Sequence, residues 1–227
     1  MKYFQLKFSN HSFLYLIIIF CLMIVFYPFL PFVGTFLLII LLFTAFFFRD
    51  PDKIIPINEN LILSPADGKV TFVDKEAPPK ESQIIESNYK KISIFLNVFD
   101  IHINRIPVAG KILSINYISG KFFNATLDKS SKFNERNIIV LELKDRSKII
   151  VVQIAGMIAR RIVCDINNNQ KVNAGDRFGL IKFGSRVDIY IPEHLNILVS
   201  EGQRVIGGET IIADLNNRVE IKSIVRK

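Results

Sequence analysis

Ser185 draws attention because of the residue before it. Gly184 has no side chain, so its backbone reaches conformations other residues avoid, and its carbonyl lies open to the hydroxyl that follows. The pair sits in Arg177-Phe178-Gly179-Leu180-Ile181-Lys182-Phe183-Gly184-Ser185-Arg186-Val187-Asp188, between two strand-like segments where a strained backbone is expected. Attack by the serine hydroxyl on that carbonyl is an N-to-O acyl shift and makes an ester. β-Elimination then breaks the chain and leaves a dehydroalanine, which hydrolyses to a pyruvoyl group. A Gly-Ser pair alone marks only a turn, so the reading depends on finding a base to activate the serine. The chain has three histidines. His11 precedes a long apolar stretch, and His194 lies in Pro192-Glu193-His194, which reads as an exposed turn. His102, in Phe99-Asp100-Ile101-His102-Ile103-Asn104-Arg105-Ile106-Pro107, follows a strand and precedes a proline, and is the better candidate. Asp67 is an acidic candidate in Ala66-Asp67-Gly68, although Asp-Gly is also an ordinary turn pair.

The elements around these residues read as strands. Lys91–Val98 and Val187–Ile191 alternate apolar and polar positions, and Asn137–Leu143 and Ile149–Ile154 are β-branched runs. Turn signals fall at Ala66-Asp67-Gly68, Pro78-Pro79, Ala109-Gly110, Ala174-Gly175-Asp176 and Gly207-Gly208. Glu76–Asn88 is polar, carries two prolines and reads as a loop. The expected fold is mainly β, a sandwich or barrel of short strands. Ser64–Val70 and Ile197–Leu215 each resemble half of a lipoyl-type barrel. No Met-Lys marks a hairpin tip, so a carrier function does not follow from that likeness.

The N-terminal part is different. No charged residue occurs from Phe13 to Phe48. Phe13–Tyr27 and Phe32–Phe48 are apolar runs separated by Pro28 and Pro31, where helix interruption is expected. At about 1.5 Å per residue each run reaches roughly 22–26 Å, short of a hydrocarbon core of about 30 Å. A membrane helical hairpin or re-entrant pair, 13–27 and 32–48, is the expectation. Lys2 and Lys7 precede it and Arg49 and Lys53 follow it, which puts both outer ends on the cytoplasmic side. No small-residue cleavage site follows the first run, against a secretory signal. Residues 1–48 then form an anchor and 49–227 a catalytic β domain. All but two of the eight net positive charges fall on that domain, which suits an anionic membrane surface. Lysines and arginines are dispersed and no basic run is interleaved with aromatics, so no nucleic-acid partner is expected. Cys21 and Cys164 form no metal or disulfide pattern, and no metal is expected.

Several blocks together resemble the phosphatidylserine decarboxylase family in its short bacterial form. They are Phe48-Arg49-Asp50-Pro51, Ser64–Val70, Asn97–Pro107 with Gly110, Asn134-Glu135-Arg136, Ile154-Ala155-Gly156 with Ala159–Cys164, and Gly175–Pro192. They cover most of 48–215 in family order, and Phe-Gly-Ser-Arg-Val-Asp with the preceding Arg-Phe-Gly-Leu-Ile is the most specific.

The resemblance implies self-cleavage at Gly184–Ser185 into a large chain, 1–184, and a small chain, 185–227, with Ser185 becoming the pyruvoyl cofactor. Asp67 matches the family's acidic processing residue. Longer members carry two histidines three residues apart. His102 matches the first, tied to decarboxylation, and the second falls at Arg105, which is no base at neutral pH. The processing base is therefore left open between His102 and Asp67. The implied reaction converts phosphatidylserine to phosphatidylethanolamine through a Schiff base on the pyruvoyl group. That group takes the electron-sink role of pyridoxal phosphate, so neither pyridoxal phosphate nor metal is needed. His102 is the candidate acid that reprotonates the α-carbon, and Arg160 and Arg161 are candidates for the lipid phosphate. The implied place is a bacterial inner membrane, with the catalytic domain on the cytoplasmic side. Another serine-headgroup lipid stays open as substrate, as does assembly into a homo-oligomer. The competing class is a non-catalytic membrane-anchored adaptor with a lipoyl-like β domain.

Overall fold

The computed structural model describes residues 7–120, 134–156, 161–182 and 185–217. The chain divides into two compact units, Met1–Asp52 and Lys53–Lys227.

The first unit is a pair of helices, α1 (Phe13–Phe26) and α2 (Pro31–Phe47), packed on one another. Each lies one residue upstream of its expected end. Pro31 opens α2 rather than preceding it, because at the first helical position its missing N–H costs nothing. Gly34 lets the turn close: a Cβ there would stand 2.4 Å from the Tyr27 ring. The outer ends are clasped together. Ser9 N donates to Phe48 O at 3.0 Å, Asp50 N donates to Lys7 O at 2.7 Å, and Lys7 Nζ pairs with Asp52 at 2.6 Å. These ties carry the unit past Phe48 to Asp52. Most large apolar side chains of α1 and α2 are exposed, Phe32 at 89%. Among the described residues no helix is long and apolar enough to cross a membrane.

The second unit is mainly β, as the alternation predicts. Its strands are β1 (Leu61–Leu63), β2 (Gly68–Lys75), β3 (Tyr89–Leu96), β4 (Ile103–Arg105), β5 (Gly110–Ile118), β6 (Arg136–Glu142) and β7 (Lys148–Ala155). They continue as β8 (Ile162–Cys164), β9 (Lys171–Val172), β10 (Arg177–Ile181), β11 (Ser185–Pro192), β12 (Asn196–Ile197), β13 (Arg204–Val205) and β14 (Ile211–Asp214). The large sheet runs β13-β2-β3-β11-β7-β6-β5-β9, and two small sheets run β1-β14-β12 and β4-β10-β8. Every described pairing is antiparallel.

One core joins the three sheets. Ile92, Ile94, Val187, Ile189, Val151 and Ile139 of the large sheet pack with Ile62, Phe178, Ile181 and Ile212 of the small ones. Alternate residues, including Ile138, Ile150, Val152, Ile154 and Tyr190, form a smaller cluster on the other face. Strands buried on both faces lose strict alternation, which is why β6 and β7 are continuous β-branched runs. The 76–88 segment forms no strand. Its single 3₁₀ turn, Lys80–Ser82, is tied down where Asn116 Nδ2 donates to Glu81 O at 2.9 Å and Arg136 pairs with the Glu81 carboxylate.

Candidate active site

Ser185 opens β11, the strand at the middle of the large sheet. It stands opposite Leu96 of β3 on one side and Ala155 of β7 on the other. Six further residues of β11 pair with β3 beyond the Arg186–Phe95 step, so the position of Ser185 is set by two full ladders rather than by a loop. Ser185 is wholly buried, and its Oγ has no hydrogen-bond partner among the described residues. A buried hydroxyl normally finds a partner, so an unsatisfied one is a mark of stored chemistry. Gly184, and with it the backbone strain expected there, lies outside the described residues.

His102 lies between β3 and β4. A turn precedes it, in which Asp100 N donates to Asn97 O at 2.8 Å and Asn97 N donates to Asp100 Oδ2 at 2.8 Å. His102 is buried, and its Nδ1 lies 3.0 Å from Asp100 O. A carbonyl only accepts, so Nδ1 carries the hydrogen and Nε2 is the basic nitrogen. The link to Ser185 runs through β10: Ile181 N donates to His102 O at 3.4 Å, and Ile181 is the last residue of the strand that leads to Ser185.

Asp67 lies in the turn between β1 and β2. Ser64 Oγ donates to Ala66 O at 2.7 Å and shapes that turn. Two neighbours hold it in place: Arg105 N donates to Pro65 O at 2.9 Å, and Gly208 N donates to Ser64 O at 2.8 Å. The Asp67 carboxylate pairs with Lys53 Nζ at 2.9 Å and accepts from Gly207 N at 3.2 Å. Burial pushes its pKa above the usual carboxylate range, Lys53 and the Gly207 amide oppose that, and the charge of Asp100 adds to it. Asp100 therefore stands between the two candidates: its charge acts on Asp67, and its carbonyl orients His102. Arg204 in turn pairs with the Asp100 carboxylate.

Arg105 is buried, and its guanidinium donates to Gly175 O at 2.9 Å. It ties β4 to the Ala174–Asp176 turn. Arg161 is exposed, and its carbonyl accepts from Lys182 N at 3.2 Å, three residues before Ser185. Arg160 lies outside the described residues. His194 is exposed in a turn and His11 belongs to the first unit, so neither joins the cluster.

Sequence reasoning missed Lys53, Asp100 and a line of buried amides. Asn137 Nδ2 donates to Gln153 Oε1 at 2.9 Å, and Gln153 Nε2 donates to Asn104 Oδ1 at 2.8 Å. A signal existed: Gln153 interrupts Ile149-Ile150-Val151-Val152-Gln153-Ile154 at a core-facing position. Also missed was Arg186 with Asp188 on the opposite face of β11, an ion pair of 2.9 Å with side chains 5% and 1% exposed.

A serine wholly buried at the head of a central strand, with a tautomerically fixed histidine on the segment bonded to the preceding strand, is an arrangement that can support chemistry at the serine oxygen. The family comparison agrees: the sequence model of phosphatidylserine decarboxylase matches residues 40–213, and this chain belongs to that family. Curated relatives are similar along most of the chain. The phosphatidylserine decarboxylase proenzymes of Rickettsia typhi, Rickettsia bellii and Rickettsia akari are each 51% identical over 173 residues, covering 76% of this chain and 75% of theirs.

Proposed function

We propose that this chain converts phosphatidylserine to phosphatidylethanolamine, with a pyruvoyl group made from Ser185 by cleavage after Gly184. Family membership supports the reaction, and the observation that carries the site is the buried, unpartnered Oγ of Ser185 at the head of β11. The residues fit the group. Position 185 is fully buried, is held by strands on both sides, and has no competing partner for its oxygen among the described residues.

In the processing step the Oγ–carbon bond to Gly184 forms as the Gly184 carbon–nitrogen bond breaks, and the nitrogen of residue 185 takes the proton. Loss of the Cα proton of residue 185 then expels Gly184 as a carboxylate. Hydrolysis of the remaining enamine releases ammonia and leaves the keto end. His102 Nε2 or the Asp67 carboxylate accepts the proton. The elevated pKa of Asp67 brings it closer to the working range of a base than an exposed aspartate. When formed, the pyruvoyl group supplies a ketone conjugated to a carbonyl, an acceptor for the electrons left when carbon dioxide departs. His102, its ring oriented by Asp100, then delivers a proton to the substrate α-carbon from Nε2. The burial of this cluster keeps water from the reacting atoms. Arg161, exposed and bonded through its carbonyl to Lys182 N, is the candidate for the lipid phosphate.

The helix pair is the membrane hairpin of this reading. α1 is apolar on every face, a pattern suited to lipid or to a large core. At 14 and 17 residues the helices enter a bilayer without crossing it singly. The clasped ends keep Lys7 and Arg49 together, and paired positive ends support a cytoplasmic side for both at an inner membrane. The lipoyl-like reading of the domain rests on the closure of its two halves. β13 pairs with β2, and Ser64 N donates to Thr210 O at 2.8 Å.

Intact mass spectrometry tests the proposal. The wild-type chain yields a fragment starting at residue 185, blocked at its N-terminus and lacking an amino nitrogen. Ser185→Ala stays a single chain and forms no phosphatidylethanolamine. A wild-type chain that stays uncut while active would refute it.

A further inference from the structure

The face of β11 that carries Ser185 is the apolar core face, yet it turns polar near that residue. In one row Ile189 stands beside Val151 and Ile92, all apolar. In the next, Val187 stands opposite Gln153, and Gln153 opposite Asn137. Ser185 follows in the row after that, opposite Ala155. Gln153 is thus a diagonal neighbour of Ser185 on the same face, at a Cα separation of about 7–8 Å. Gln153 and Asn104 are both fully buried and Asn137 is 1% exposed, so these amides are in the core and not at its rim.

Their hydrogen bonds run in one direction. Asn137, which also hydrogen-bonds the Cys164 thiol, donates to Gln153, and Gln153 donates to Asn104 Oδ1. The line ends on Asn104 Nδ2, which is buried and has no acceptor among the described residues. Ser185 Oγ, two residues along the sheet from Gln153, is equally buried and likewise has no partner among the described residues. One is a donor and the other an oxygen. Buried polar groups are normally satisfied, so an open donor bonded through Gln153 and an open oxygen diagonal to Gln153 point to a contact made during the reaction.

We propose that Asn104, aimed by Gln153 and Asn137, donates from Nδ2 to the oxygen carried by residue 185. This rests on the processing role of Ser185 given above and adds a positioning residue to it. In the precursor that oxygen is the Ser185 Oγ. A donor to it favours the oxygen as its proton leaves, and it leaves the hydroxyl hydrogen facing the base. Asn104 stands two residues from His102 in the same segment, so one short stretch supplies the basic nitrogen and the donor. The amide line explains why Gln153 and Asn137 occupy core positions that a β-branched residue would fill without desolvation cost.

The test follows cleavage of full-length chain made by cell-free synthesis, beside the melting temperature of the same variants carrying Ser185→Ala. Asn104→Asp keeps the shape and accepts from Gln153 but cannot donate. Its cleavage slows about 100-fold, the scale for losing one donor at a developing oxyanion. Hydroxylamine, which opens an accumulated ester, does not restore the rate, because the donor acts before the ester forms. Gln153→Met leaves the donor but removes its aim, slows cleavage about 10-fold on the same scale, and decides the matter if Asn104→Asp does not fold. Wild-type cleavage rates in both variants, or slowing with rescue by hydroxylamine, overturn the role of Asn104. If the wild-type chain itself yields no 185–227 fragment, the reading of Ser185 fails instead.

Discussion

Gly68 separates Asp67 from the sheet, and an added methyl group there tests whether that contact holds the acid in place. A Cβ on Gly68 would lie 2.2 Å from the backbone oxygen of Phe95 and 3.1 Å from Ile94 Cγ2. The first distance is about 1 Å inside the closest usual C···O approach. The obstacle is a carbonyl of β3, a strand laddered to β2 on one side and β11 on the other, so it cannot swing away as a side chain would. β2 must therefore move by about 1 Å. Overpacking of this kind costs about 1–3 kcal/mol, and in a domain of this size that lowers the melting temperature by about 3–10 °C. A shift of about 1 Å in a reacting group costs on the order of 100-fold in rate, so Gly68→Ala cleaves about 100-fold more slowly. Gly202→Ala is the control. Its Cβ meets nothing within 4 Å, but its φ of +87° is unfavourable for alanine, so it costs about 1 kcal/mol and leaves cleavage unchanged. Melting is read by circular dichroism in the uncut Ser185→Ala background, and cleavage by gel in the native one. Gly68→Ala melting and cleaving like Gly202→Ala would refute the claim that this backbone approach positions Asp67.

Other outcomes follow from the same contacts. The self-cleavage rate falls as pH is lowered, with a midpoint above the usual carboxylate range because burial raises Asp67; Lys53→Met moves it higher, and a midpoint unaffected by Lys53 counts against Asp67 as the titrating group. The linked stability has the opposite slope to an ordinary aspartate: the folded chain holds this proton more tightly than the unfolded one. Its contribution is full below the unfolded pKa and is lost as pH rises through the folded value, so the melting temperature of the Asp67 chain falls relative to Asp67→Asn across that range. Asp188→Asn strips the carboxylate from the buried Arg186 pair and destabilises by about 3–5 kcal/mol, whereas replacing both with apolar residues costs far less, as denaturant titration measures. Ile39→Lys, on the exposed apolar surface of α2, adds about 2.5–3.5 kcal/mol to burial in lipid and reduces sedimentation with vesicles.

How much was legible in the residues differs from element to element. Period two in Lys91–Val98 and Val187–Ile191 revealed β3 and β11 to within a few residues, because successive side chains of a strand point to opposite faces. The prolines at 28 and 31 marked the break between α1 and α2, because proline removes a donor. Ser185, His102 and Asp67 were named from local motifs and from the family resemblance those motifs carry; Ser185 and His102 are buried and Asp67 is half-buried. What could not be read was any relation across the chain. Lys53 meets Asp67, Asp100 links Asp67 to His102, and Gln153 meets Asn104 only because three sheets close on one core. Apart from the Asp100–His102 bond, each of those contacts joins residues well separated in sequence, and no local pattern carries a long-range pairing. The reach of the Arg105 guanidinium to the Gly175 carbonyl, 70 residues on, was likewise visible only in the tertiary structure. The sequence determined which side chains could react and which segments were strands or apolar helices, since those follow from covalent chemistry and short-range periodicity. The burial that raises the acid, and that leaves the serine oxygen without a partner among the described residues, came from packing alone.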